Sequence, residues 1–118
     1  MGVDYTISME EIRSINEQYG GSLRMDAEIE TALEAGKGMS IYRKVAYLLR
    51  AILVGHPFTD GNKRTAFVVT TTMVGKSQIN LSDAQKERIV EEIRKIASKN
   101  VRDIDKIERS IRYVITGD

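Results

Sequence analysis

At 118 residues, with 42% hydrophobic and 30% charged side chains, the chain can bury one core of ordinary size and lacks the composition of a disordered segment. A formal net charge of +1 excludes the concentrated positive field of a general nucleic-acid binder, and the absence of cysteine excludes disulfide frameworks and thiolate metal sites. No apolar run approaches the roughly 18 residues of a membrane span, and the N-terminus is acidic and polar where a signal peptide is basic and then apolar, so the expectation is a cytoplasmic protein with neither a membrane nor a nucleic acid as direct partner.

Ser8 followed three residues later by Glu11 forms a capping-box pattern, which opens a helix carrying Ile12 and Ile15 and ending at Gly20-Gly21. Asp26 is the expected N-cap of a second helix, through Ile29 and Leu33, that stops near Gly36 and Gly38. From about Ile41 to Gly55, the residues Val45, Leu48, Leu49, Ile52 and Leu53 recur at spacings of three and four and predict the most buried helix. Asn62 is expected to cap a fourth helix, running from about Lys63 through Ala66, Phe67, Thr70 and Met73 to a C-cap at Gly75. Its Val68-Val69-Thr70-Thr71-Thr72 run has strand propensity, so helix formation there depends on tertiary context. Ser82 caps a fifth helix with Ile89, Val90, Ile93, Ile96 and Ala97 on one face, and Asp103 opens a last one with Ile104, Ile107, Ile111, Val114 and Ile115. The 76–81 segment could be extended, but a lone strand would have no partner. The chain therefore reads as one all-α domain over residues 1–118, built from about six helices.

The chemistry concentrates between the third and fourth helices. The single histidine and the single proline are adjacent there, at His56-Pro57, and proline disfavours helical backbone at the residue before it. Gly61 permits a backbone conformation or a close ligand approach that a side chain would obstruct. The helix start that follows offers unpaired backbone N–H groups and a positive dipole end, a natural seat for phosphate, with Lys63 and Arg64 adding charge. Asp60 supplies a hard oxygen ligand suited to Mg²⁺ held jointly with nucleotide phosphates. An imidazole such as that of His56 can accept a proton from an attacking hydroxyl near neutral pH. Together these nine residues suit phosphoryl or nucleotidyl transfer. Gly75-Lys76-Ser77 has the look of a P-loop end, but that motif needs a glycine where Thr70 stands.

The segment His56-Pro57-Phe58-Thr59-Asp60-Gly61-Asn62-Lys63-Arg64 resembles the signature of the Fic/Doc family at every constrained position. Upstream, Tyr19-Gly20-Gly21, Asp26 and Ala32-Leu33 are similar to the N-terminal stretch of Doc-type (death-on-curing) members. The resemblance implies a Fic/Doc fold, ATP as substrate and Mg²⁺ as cofactor. It implies His56 as general base, Phe58 as the anchor of the loop and Asp60 as the metal ligand. Gly61, Asn62, Lys63 and Arg64 are implied as nucleotide-phosphate ligands.

Two positions separate the chain from the adenylyl-transferring pattern of that family. Lys63 stands where that pattern has glycine, and Phe67 stands where it has a second arginine. Doc-type members share both features, and the resemblance then implies reversed ATP, with the γ-phosphate facing a Ser or Thr hydroxyl of a protein. Elongation factor Tu is the target the Doc precedent implies. Adenylyl transfer by the same residues, or a catalytically idle binding protein, are the alternatives. No Glu-Gly or Glu-Asn pair occurs, so the family's inhibitory motif is missing and a separate Phd-like antitoxin is expected as regulator.

Overall fold

The computed structural model describes residues 6–118, and in it four of the six helices start at a side chain that accepts from the free N–H groups of the first turn. Helix α1 spans Met9–Glu17, with Ser8 and Glu11 forming a reciprocal capping box. Helix α2 spans Ala27–Ala35, α3 Ile41–Leu53, α4 Asn62–Lys76, α5 Asp83–Lys99 and α6 Ile104–Thr116. Ser82 and Gln85 form a second capping box at α5, and Asp103 accepts from two N–H groups of α6. Ser40 caps α3. Asp26 sits at the N-cap position of α2, but its side chain makes no cap bond. The chain is thus all-α, with six helices among the described residues.

Helix α3 is the axis of the molecule. Eight of its thirteen residues are buried, and it packs against α2, α4, α5 and α6. The spacing of three and four places Val45, Leu48, Leu49, Ile52 and Leu53 among these neighbours, so burial extends around most of the helix.

The β-branched run in α4 is helical because α4 lies between α1, α3 and α5 and buries two rows along its length. Thr65, Val69 and Met73 form one row and Ala66, Thr70 and Val74 the other. Thr70 and Thr71 turn their hydroxyls onto the carbonyls of Ala66 and Val68 within the helix, which leaves no buried hydroxyl seeking a strand-like partner. Gly75 does not stop the helix. Ser77 is the C-cap, its Oγ donating to the Val74 carbonyl at 2.6 Å, and Gln78 takes the left-handed conformation with φ 66°. Residues 77–81 form a turn and coil rather than a strand, with Ile79 and Leu81 packed against the core.

Lys76 ties the end of α4 to the start of α1, donating to the Thr6 carbonyl and to Glu11 Oε2, both at 2.9 Å. That bond to Lys76 is the main cause holding the Glu11 carboxyl below its ordinary value. A carboxyl depressed in the folded state contributes stability above its unfolded value and loses it as pH falls through the folded one. Lys76→Met should therefore lower stability at neutral pH, by no more than about 1 kcal/mol because both side chains are partly exposed. The deficit should shrink, leaving only the part owed to the Thr6 contact, in urea melts run progressively more acid than the ordinary carboxylate range. A deficit that persists undiminished there would contradict the assignment.

Candidate active site

The α3–α4 connection is a short loop whose backbone is held at the carbonyls of His56, Pro57, Phe58, Asp60 and Gly61. Helix α3 ends at Leu53, and His56 adopts φ 49°, a left-handed conformation uncommon outside glycine, before Pro57 turns the chain inward. Arg24 holds this turn twice. Its Nη2 donates to the His56 carbonyl at 2.8 Å and its backbone N–H to the Pro57 carbonyl at 2.8 Å. Leu23 and Phe58 form an isolated antiparallel bridge, the Thr59 N–H donates to the Ser22 carbonyl at 2.9 Å, and Ser22 N–H donates to Thr59 Oγ1 at 3.0 Å. The α1–α2 connection is in effect zipped along the loop.

Phe58 points the other way, 1% exposed within the core, so the loop is pinned by its centre. Asn62 closes it. Its Oδ1 accepts from Phe58 N–H at 3.2 Å and its Nδ2 donates to the Phe58 carbonyl at 3.1 Å. This corrects the expected capping role of Asn62: it is the first residue of α4, while Gly61 is the N-cap. Gly61 has φ 74°, and a Cβ there would stand 2.9 Å from Tyr19 Cβ, so both conformation and space call for glycine. With the Asn62 amide turned back onto the loop, no side chain caps the first turn of α4, and its N–H groups remain available to an anion.

His56, Thr59, Asp60, Gly61, Asn62, Lys63 and Arg64 line one open groove with Tyr19, about 490 Å³ in volume. His56, Asp60, Lys63 and Arg64 are exposed in it. The Arg64 guanidinium lies 5.8 Å from the centre of the Tyr19 ring, a cation–π contact that restrains a long side chain beside the groove. Among the described residues, neither Lys63 nor Arg64 forms a salt bridge, so neither charge is taken up by an ion pair.

Asp60 Oδ1 accepts from Gly61 N–H at 2.8 Å, which fixes the carboxylate over the start of α4. No cluster of three or more His, Cys, Asp or Glu side chains able to hold a metal exists among the described residues. A single exposed carboxylate fits Mg²⁺ that keeps its waters and shares phosphate oxygens; it does not fit an all-protein cage.

A family model described as Fic/DOC family matches residues 6–74, which is more than half of the chain and includes the whole loop. The chain belongs to the Fic/DOC family. No curated protein and no solved structure matches it. Membership places this Fic/DOC protein among transferases that move nucleotide-derived groups onto proteins. The matched span contains α1 to α3, the loop and nearly all of α4, whereas α5 and α6 lie beyond it. Among the described residues, no helix is long and apolar enough to cross a membrane.

The structure adds to the site residues to which local sequence pattern assigns no role: Asn16, Tyr19, Ser22, Arg24 and Thr59. For Asn16 a signal existed. An amide one turn beyond Ile12, on the apolar stripe of α1, is an anomaly where an aliphatic residue is the rule. It is fully buried, donating from Nδ2 to the Asp60 carbonyl at 2.8 Å and to Thr65 Oγ1 at 3.0 Å, while its Oδ1 has no partner. An unpaired buried acceptor costs roughly 1–3 kcal/mol.

Proposed function

We propose that this Fic/DOC protein is a Doc-like phosphotransferase that moves the γ-phosphate of ATP to a Ser or Thr hydroxyl of another protein. The observation that carries the reading is Lys63, exposed in the first turn of α4 within the groove. Where the adenylyl-transferring pattern leaves an open anion hole, here a lysine brings bulk and charge. One turn on, Phe67 is half-buried against the core, so no second arginine reaches the groove. A nucleotide entering with its α-phosphate first would meet the lysine side chain; one entering with its γ-phosphate first meets a cation.

In the reaction, the His56 imidazole takes the proton of the target hydroxyl as its oxygen attacks the γ-phosphorus. The bond from that phosphorus to the β–γ bridging oxygen breaks, and ADP leaves. Lys63, Arg64 and the uncapped N–H groups of α4 neutralise charge on the phosphates, and Asn62 keeps the loop closed beneath them. Mg²⁺ held by Asp60 and the phosphates would supply further neutralisation. The target is a protein Ser or Thr, with elongation factor Tu the first to test. Cytoplasmic location and inhibition by a separate Phd-like protein belong to the same reading.

ATP labelled at the α- and, separately, the γ-phosphate tests the proposal in the source lysate and with purified elongation factor Tu. Transfer of the γ-label alone is expected; transfer of the α-label means AMP transfer and overturns the reading. Lys63→Gly should fold normally, lose γ-transfer by roughly 100-fold, and gain measurable α-label transfer. Undiminished γ-transfer in that variant would remove the orientation argument.

A further inference from the structure

We propose that Asn16 is a positioning residue, one that sets the Asp60–Gly61 peptide and the first turn of α4 rather than merely filling space in the core. As far as it concerns reaction rate, this inference rests on the function proposed above; as far as it concerns local order, it does not.

Packing alone would not select an amide here. Asn16 is 0% exposed and its Oδ1 has no hydrogen-bond donor. Gly21 closes over it so tightly that a Cβ at that glycine would stand 2.3 Å from Asn16 Oδ1 and 2.3 Å from the Asp60 carbonyl oxygen. Water is thereby kept from the orphaned acceptor, which makes it destabilising. Leucine, with the same branched skeleton but bulkier methyl groups, would remove that acceptor and add apolar burial.

What leucine cannot do is join two backbone regions that meet at the groove. The two N–H groups of Nδ2 reach the Asp60 carbonyl and the Thr65 hydroxyl, 44 and 49 residues away along the chain. The Asp60 carbonyl belongs to the peptide whose N–H, on Gly61, holds the Asp60 carboxylate. Gly61 is also the left-handed N-cap of α4. One buried amide therefore fixes the peptide plane that orients the carboxylate and the uncapped N–H groups together. Without it, the Asp60 carbonyl is free to rotate toward the open groove, and the Thr65 hydroxyl can turn to a carbonyl of its own helix. The fold would survive both changes. The phosphate seat would lose its register.

The test is Asn16→Leu in the full chain. The variant should still melt cooperatively as a folded protein. Exchange of the Gly61 amide, read by NMR, should speed up at least about tenfold. Transfer of labelled phosphate should fall at least about tenfold through kcat, with an unaltered pH profile, because the proton acceptor is untouched. Wild-type exchange and wild-type transfer in a folded Asn16→Leu protein would overturn the proposal. If that variant does not fold, Thr65→Val decides, since it removes one acceptor of the same amide. A milder rise in Gly61 exchange supports the role, and wild-type exchange refutes it. Should the wild-type protein transfer neither label, the functional reading fails by itself and Gly61 exchange alone judges Asn16.

Discussion

His56→Gly should lower phosphate transfer by about 10²–10⁴-fold while leaving the folded protein as stable as before, or slightly more so. The rate follows from losing the only imidazole in the chain, which stands exposed in the groove. The stability follows from the backbone. At φ 49° a residue with a Cβ carries a left-handed penalty of roughly 1–2 kcal/mol, which glycine escapes. Against this stands the extra freedom glycine has in the unfolded chain, about 0.5–1 kcal/mol. The two nearly cancel. Because the His56 carbonyl is held by Arg24 and the Pro57 carbonyl by the Arg24 and Met25 N–H groups, the loop path does not depend on the histidine side chain. Glycine is a cleaner test than alanine, which would keep the backbone penalty. Thermal melts beside γ-label transfer check both halves. A variant that still transfers phosphate within about twofold of wild type would remove His56 from the mechanism.

Phe58→Ala should destabilise the protein by about 3–5 kcal/mol, a large part of the roughly 5–15 kcal/mol available to a domain of this kind. The ring is 1% exposed and is the largest fully buried side chain among the described residues. Its loss leaves a cavity at the point where the loop is pinned from both sides, by Asn62 through the Phe58 backbone and by the bridge to Leu23. A fall in the thermal midpoint of roughly 10–20 °C is expected. Phe58→Leu, which retains most of the volume, should lose less than half as much. Transfer by the alanine variant should drop even at temperatures where it remains folded, because the loop then lacks its anchor. A stability loss below about 1 kcal/mol would mean that the surrounding helices close over the site, contrary to the packing described.

The chemistry of the site was legible because it is local. His56 through Arg64 are nine consecutive residues, and a helix N-terminus attracts phosphate wherever the chain places it. The exact capping residue was not legible. Asn62 is a good cap by type, yet Gly61 takes that place because only glycine accommodates φ 74° against Tyr19, and this releases the Asn62 amide to close the loop on Phe58. The strand-prone run in α4 had the same dependence. Propensity alone left it open, and burial of two faces between α1, α3 and α5 decided it.

By itself, the amino-acid sequence determined six helices in order, their apolar faces, three of their caps and one contiguous phosphate-handling loop. Each of these rests on interactions within about four residues, where periodicity and capping chemistry are written directly in the chain. Tertiary structure alone decided what holds that loop in a working shape. Arg24 on the His56 carbonyl, Tyr19 beside Arg64 and Asn16 beneath Asp60 all come from the first quarter of the chain. The hydrogen bonds among them span 32 to 49 residues, and no local pattern specifies such a partner until α1 has packed on α4.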